Sequence, residues 1–382
     1  MNHPVLIVGG GIAGLTTALA LQQLHIDFLV LEAVPEIKTV GAGISLAGNA
    51  MRVMKRLGLA NAIKHNGHLI SSMLIQDEHG STLSLMDAAK LSSEYELDNV
   101  AIHRSALHQV LLKAISQNKI LTNNKVTDYT EGDNFVEVVL QNGNRISGSC
   151  ILVADGIHSS IRKKLLPQSQ IRYSGYTCWR GIAENTWGIE KVAVEKWGTA
   201  GRFGYVPIGD NKVYWFACKN APQKNEQMQT MTLAQLAENF RNYSHPVPEI
   251  IRQTPASELI WGDIIDLKPI SRYAFNKVVL LGDAAHATTP NMGQGACMGI
   301  EDAWLIATLL QQHANNLTEA FRLFEAQRLK RTHYIVNTSY RLGKIAQWEN
   351  RILTKLRNTA FRLVPASVNE KQVIKLLDIP VR

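Results

Sequence analysis

The chain has 382 residues, of which 46% are hydrophobic and 19% charged, with a formal net charge of +8. That length exceeds the usual limit of a single core, so two domains are the default expectation for what is otherwise an ordinary globular composition. No linker-like tract, fixed-period repeat or apolar run of membrane-spanning length occurs, so fibrous, low-complexity and membrane-spanning classes are set aside, and any domain division must be woven through the chain.

The charge is unevenly placed. Between Arg322 and Arg382 there are 13 Lys or Arg against 4 Asp or Glu, so the basic excess belongs to the C-terminal part. No basic face interleaved with aromatics accompanies it, and nucleic acid is not an expected partner. Cys150, Cys178, Cys218 and Cys297 form no CxxC and no His/Cys cluster, so neither disulfides nor a metal site is expected. The first strand begins at Pro4 or Val5, which leaves no room for a signal peptide. The expectation is a cytoplasmic, reduced protein.

Val5-Leu6-Ile7-Val8 is an apolar strand of the kind buried in a parallel sheet. It leads into GGGIAG, Gly9 to Gly14, and an apolar helical pattern from Leu15 to Leu24. Gly9, Gly11 and Gly14 match GxGxxG, with Ile12 and Ala13 between them. The first glycine permits a tight turn, the second lets backbone approach a pyrophosphate, and the third lets helix and strand pack closely. A second strand, Phe28-Leu29-Val30-Leu31, ends in Glu32, where a carboxylate accepts hydrogen bonds from an adenosine ribose. Strand, glycines, helix, strand and acid in that order point to dinucleotide binding. They do not choose between NAD and FAD.

Gly41-Ala42-Gly43-Ile44 is a second glycine-rich turn, either backbone beside a ligand or an ordinary loop, and a helical pattern follows from Asn49 to Leu57. Val100 to Arg104 runs into a helix whose expected N-cap is Ser105. Arg104 at that entry suits a phosphate, a ring edge or a surface salt bridge. Val136 to Leu140, the Asn142-Gly143 turn and Ile146 read as a β-hairpin. The buried strand Cys150 to Ala154 then ends in DGIHSSIR, Asp155 to Arg162, with Asp155 and Gly156 where open α/β sheets bind ligands.

From Tyr173 to Trp261 the pattern becomes strand-like and aromatic, over Tyr176 to Ile182, Ala193 to Trp197, Arg202 to Pro207 and Val213 to Cys218, with a helix at Leu233 to Phe240. This predicts an antiparallel sheet with one helix, a second domain. Alternation puts Tyr214 and Phe216 on one face, and Phe203 and Tyr205 on one face; either face serves core or pocket. Val278 to Leu281 is a short buried strand before GDAAHATTPNMGQGACMGIEDA, Gly282 to Ala303, and an apolar helix at Trp304 to Leu310. Strand, glycine loop and helix start make a cradle for an anion or a polarised ring.

GGGIAG with Glu32, DGxxSxxR from Asp155 to Arg162, and GD with the PxxGQG loop together resemble the single-component FAD-dependent aromatic hydroxylases, the para-hydroxybenzoate hydroxylase-like class. Tyr173 to Gly181 and Gln294 to Met298 look most similar to the branch of urate hydroxylase, zeaxanthin epoxidase and salicylate hydroxylase-like enzymes; Cys297 stands where many members have Asn. The expected fold is α/β: a Rossmann-like FAD-binding domain over 1–70, 100–170 and 272–335, an interwoven α+β substrate domain with a mostly antiparallel sheet over 71–99 and 171–271, and C-terminal helices over 336–382.

The resemblance implies a non-covalent, tightly bound FAD. Gly9, Gly11, Ile12, Ala13, Gly14 and Glu32 would hold its ADP half, and Gly43 and Arg104 would lie beside the flavin. Asp155, with Gly156 and Arg162, would serve FAD and NAD(P)H. Gly282 and Asp283 would contact the ribityl chain, and Pro290, Gly293, Gln294, Gly295 and Ala296 would face the isoalloxazine. NAD(P)H would bind transiently, without a Rossmann fold of its own. The helix starting near Gly295 would favour anionic reduced flavin. The implied reaction consumes NAD(P)H and O2 and hydroxylates or epoxidises an aromatic or unsaturated small molecule through a flavin C4a-hydroperoxide. A flavin reductase without oxygen transfer and a non-catalytic flavin-binding protein are the competing readings. Pro290 would lie at the reacting ring, while Arg202 and Tyr214, with Arg180 and His286, are candidates to hold a substrate anion or phenol; Arg202 is preferred.

Between Arg341 and Leu363 one stripe of Leu342, Ile345, Trp348, Ile352, Leu356, Ala360 and Leu363 predicts an amphipathic helix with Lys344, Arg351, Lys355 and Arg362 elsewhere. Packing on the FAD domain with a solvated basic face is preferred over peripheral contact with an anionic membrane. A monomer or homodimer is expected.

Overall fold

Uninterrupted apolar runs must be covered on both faces, and four of them form the centre of a six-stranded sheet. Its order is Ala274–Phe275, Val278–Leu280, Cys150–Val153, Val5–Val8, Phe28–Leu31 and Ile120–Leu121, parallel except for the antiparallel edge pair. The computed structural model describes residues 3–36, 42–87, 89, 98–365, 368, 370, 371, 374 and 376. Helix Ile12–Gln23 leaves the first strand directly and packs on helix Gly295–Gln312, so the two sequence-distant glycine loops start side by side. Small residues allow that approach: a Cβ at Gly299 would meet the Ala13 Cβ at 3.0 Å.

The second sheet has seven strands in the order Ile260–Leu267, Ile171–Glu184, Lys212–Asn220, Gly201–Ile208, Val192–Gly198, Ser72–Asp77 and Thr82–Asp87. All pairs are antiparallel except Val192–Gly198 with Ser72–Asp77, which are parallel. Thus a segment from before residue 100 completes a sheet otherwise made after residue 170. One face carries a core of Trp179, Phe203, Trp215 and Phe240 under helices Leu233–Asn239 and Val247–Gln253, with Phe203 stacked on Trp215 at 5.5 Å. Alternation puts Tyr214 and Phe216 on the other face. The two aromatic faces therefore divide: Phe203 and Tyr205 are core, whereas Tyr214 and Phe216 line a cavity.

Helix Leu317–Ala346 has 30 residues, about 45 Å at 1.5 Å per residue, and touches both halves. The expected boundary between 335 and 336 falls inside it. Tyr273 Oη and Thr332 Oγ1 are 2.6 Å apart; further along, Ser339 Oγ lies 2.7 Å from Thr289 Oγ1 and donates to the Thr289 carbonyl.

Two local expectations are corrected. Helix Arg104–Ala114 is capped by His103, whose Nδ1 accepts from the Ser105 amide at 3.1 Å, so Ser105 lies inside the first turn. An imidazole acceptor here replaces the expected hydroxyl. The C-terminal pattern is two helices, breaking after Ala346 and resuming as Arg351–Leu363. In the second, Thr354 and Arg357 are buried, while Ile352, Leu356 and Leu363 are 70%, 61% and 76% exposed. The apolar stripe faces outward, opposite to the expected packing, because Arg357 turns inward to donate to the Ala346 carbonyl at 2.8 Å and lies 5.2 Å from the Trp197 ring. Gly41 of the second glycine-rich turn lies outside the described residues.

Candidate active site

One cavity of about 400 Å3 opens between the two sheets. Its floor is the start of helix Ile12–Gln23, with Gly11, Ile12 and Ala13, and the start of helix Gly295–Gln312, with Gly293, Gly295 and Ala296. Gly43, Arg104, Gly156, Gly282, Asp283 and Pro290 also line it. The opposite wall carries Cys178, Arg180, Glu195, Arg202, Tyr214 and Phe216.

The glycine loop is shaped by close backbone approach. Gly9 has φ +107°, and a Cβ on Gly14 would lie 1.9 Å from the Gly9 carbonyl oxygen. Gly11 differs: a Cβ there meets nothing within 4 Å and points into the cavity. Neither helix start has a side-chain cap, so amides of both first turns are available to an anion. Glu32 accepts from the Gly10 and Val34 amides and so ties the loop to the second strand's end. Asp155 follows the third strand; one carboxylate oxygen is buried with no partner, and burial raises its pKa. Asp283 lines the cavity with its side chain exposed to that space, and the protein packed around it raises its pKa against the opposing pull of His286 and Arg104. An uncapped glycine cradle, an orphaned carboxylate oxygen and a facing acid fit the pyrophosphate and the hydroxyl-rich chain of FAD.

Several expected residues act from behind this wall. Gly9, Gly14 and Glu32 shape the loop. The Arg162 guanidinium donates to the Ile157 and Ala284 carbonyls, joining the DGIHSSIR turn to the turn after Gly282. Gln294 accepts from Asn49 at 2.9 Å. His286 is buried, its Nε2 2.6 Å from Asp302, and takes no part in the cavity wall. Asp302 also accepts from the Gly282 amide and from Arg328. Burial opposes its ionisation, but His286 and Arg328 outweigh burial and hold its pKa at about 2.

On the wall opposite the glycine loops, Arg202 is buried with three donors engaged: Gln347 at 2.8 Å, Glu195 at 3.0 Å and Asn291 at 2.8 Å. Arg180 is different. It is hydrogen-bonded to Tyr214, faces the cavity, and pairs with no carboxylate among the described residues. Beside it, the thiol of Cys178 is lowered in pKa, first by its cross-strand partner Cys218, with Arg180 and Arg202 adding. Gly43 lies under Tyr214; a Cβ there would come 2.4 Å from the ring. The second glycine turn therefore gives room to a tyrosine of the opposite wall.

Sequence reasoning did not single out Cys178, Glu195, Asn291 or the Asp302–Arg328 pair. Asn291 stands inside the PNMGQG loop and was within reach of a motif reading. It donates to Thr289 Oγ1 and the Ser339 carbonyl and accepts from Arg202 and Tyr176.

A dinucleotide cradle facing a mixed-sheet wall across one cavity is the arrangement of a flavin-dependent oxidoreductase. The model of the FAD binding domain family matches residues 2–338. The chain is 37% identical to aurachin C monooxygenase/isomerase of Stigmatella aurantiaca over 361 residues, 94% of each chain. It is 33% identical to 2-heptyl-3-hydroxy-4(1H)-quinolone synthase of Pseudomonas aeruginosa over 368 residues, again 94% of each. Klebsiella pneumoniae HpxO, solved with FAD and uric acid, superposes with a TM-score of 0.91 at 28% identity, covering 98% of this chain and 97% of that one. The chain belongs to the FAD binding domain family. It is an FAD-dependent monooxygenase, and these relatives favour oxygen transfer over the reductase and binding-protein readings.

Proposed function

We propose that this enzyme hydroxylates a planar nitrogen heteroaromatic that carries a ring oxygen held as an anion or strong hydrogen-bond acceptor, with NAD(P)H and O2 as co-substrates. The observation that carries the reading is Arg180, a cation on the cavity wall with no carboxylate partner among the described residues. A cavity-facing guanidinium with no carboxylate partner, beside only Tyr214 and the Cys178 and Cys218 sulfurs, is suited to a substrate oxyanion. Two relatives, a quinolone synthase by name and HpxO, solved with FAD and uric acid, agree with that chemistry.

FAD, when bound, accepts hydride from NAD(P)H and activates O2. The protein's own residues do the rest. Gly11 and the two uncapped helix starts would receive the pyrophosphate and the flavin's polar edge, while Asp155 and Asp283 would accept hydrogen bonds from hydroxyls of the ribose-derived chain. Arg104 and Pro290 would flank the ring. Arg180 and Tyr214 would fix the substrate oxygen, and Phe216 would cover the ring face and keep water out. Arg202, braced by Glu195, Asn291 and Gln347, keeps that wall in register with the loop at Pro290. The four free cysteines suit a reducing, cytoplasmic setting.

The test is a panel of hydroxy- and oxo-heteroaromatics added to FAD-loaded protein, reading ligand-stimulated NAD(P)H oxidation and product mass under 18O2. Stimulation with one 18O in the product is expected. No stimulation across the panel, or oxidation without label in any product, refutes the reading.

A further inference from the structure

The helix Arg351–Leu363 is attached to the protein by its polar side. Thr354 and Arg357 are buried, and Phe361 sits against Trp197 at 4.8 Å. Its free side is apolar: Ile352, Leu353, Leu356 and Leu363 are exposed, and Val364 continues the row. At 3.6 residues per turn, positions 352, 356, 360 and 363 form one stripe, with 353 and 364 along its edge. Arg351, Lys355 and Arg362 fall together along its other edge. The thirteen residues hold four cations and no acid. Arg362 is paired with Asp77 at 2.9 Å, whereas Arg351 and Lys355 have no carboxylate partner among the described residues. A solvent-facing helix in a globular protein normally shows the reverse, polar outward and apolar inward. The described end of the tail lies elsewhere, with the Leu376 carbonyl accepting from Arg331 at 2.6 Å.

We propose that this helix is a docking surface for an anionic lipid bilayer. An apolar stripe edged by unpaired cations matches the boundary between acyl chains and acidic headgroups, the stripe entering the first and the cations reaching the second. The helix cannot span a membrane, and among the described residues no helix is long and apolar enough to do so. It lies in the surface plane. The site behind it gives the docking a use. Arg357 holds the Ala346 carbonyl, and the next residue, Gln347, bonds Arg202 on the substrate wall. The docking helix is thus one side-chain layer from the cavity, placed for a substrate that partitions into lipid. The proposal does not depend on the substrate reading, since binding to lipid needs no turnover.

The test is co-sedimentation of full-length, FAD-loaded protein with vesicles of phosphatidylcholine alone or with about a third phosphatidylglycerol, at low and high salt. Wild type is expected to partition at least tenfold more strongly onto the anionic vesicles, with part of that gain lost at high salt. The exposed double substitution Ile352→Glu/Leu356→Glu is expected to reduce binding at least tenfold, with flavin absorbance and thermal midpoint unchanged. Arg351→Gln/Lys355→Gln is expected to remove the preference for anionic lipid. Failure of wild type to bind anionic vesicles, or undiminished binding by Ile352→Glu/Leu356→Glu, overturns the proposal. So does a solution homodimer that this double substitution dissociates, because the stripe then belongs to a second copy.

Discussion

Gly11 and Gly14 separate cofactor binding from folding. At Gly11 the backbone is extended, φ −75° and ψ −176°, and an added methyl meets no protein atom within 4 Å. Gly11→Ala therefore leaves the apo fold intact or stabilises it by roughly 0.4–1 kcal/mol through reduced unfolded-state entropy. The methyl instead occupies space the pyrophosphate needs, and overpacking of about 1–3 kcal/mol there weakens FAD binding by roughly 5- to 150-fold. At Gly14 the methyl would sit 1.9 Å from the Gly9 carbonyl oxygen, so helix and loop must move apart. Gly14→Ala is expected to destabilise the apo protein by about 3 kcal/mol, a fall in thermal midpoint of roughly 4 °C in a chain of this length. The assay is FAD titration of apo-protein by fluorescence quenching, beside thermal unfolding without FAD. If Gly11→Ala binds FAD as wild type does, or loses affinity only in step with a lowered midpoint, the cradle has been misplaced.

Three other predictions concern charge. Arg180→Met should raise KM for the substrate about 10- to 100-fold, as expected for loss of a charge-assisted hydrogen bond, without lowering the thermal midpoint; Arg180→Lys should recover part of it. Asp283 has a raised folded pKa, so its ionisation weakens the apo fold as pH rises above its unfolded value. Asp283→Asn should therefore raise the apo midpoint at pH 7, the gap closing as pH falls below about 4, while FAD affinity drops roughly tenfold. Asp302 is the opposite case: its folded pKa of about 2 lies below the ordinary aspartate value of 3.8, so about 2 kcal/mol of stability is present above pH 4 and is lost as pH falls toward 2. Asp302→Asn, which leaves Arg328 and His286 short of an anion, should cost about 3–5 kcal/mol at pH 7 and flatten that acid limb of the unfolding midpoint.

The cofactor half of the site was legible because each requirement is local. A tight turn, a close approach and a helix start each demand a glycine or a particular spacing, and Gly9 to Glu32 and Gly282 to Ala296 carry those marks in short runs. The substrate wall was less so. Alternation correctly grouped Tyr214 with Phe216 and Phe203 with Tyr205, but which face meets the core depends on where helices Leu233–Asn239 and Val247–Gln253 settle, and that is not written in the strands. Arg180 and Arg202 look alike in sequence; only the structure shows one braced by Glu195, Asn291 and Gln347 and the other without a carboxylate. The C-terminal stripe is split by the break after Ala346: Leu342 packs inward as expected, whereas Ile352, Leu356 and Leu363 face out, since periodicity gives a face and not its direction.

The 30-residue helix from Leu317 to Ala346 has an evolutionary consequence. Along one rigid rod, Arg328 meets Asp302 behind the flavin loop, Ser339 meets Thr289, and Gln347 just past its end meets Arg202 on the substrate wall. The distance between the glycine-loop side and the Arg202 side of the chamber is thus calibrated by a part that belongs to neither. Side chains on the sheet, such as Arg180 or Phe216, are free to diverge toward new substrates without resetting that reach. Inheritance can change the lock while the hinge-pin stays the same.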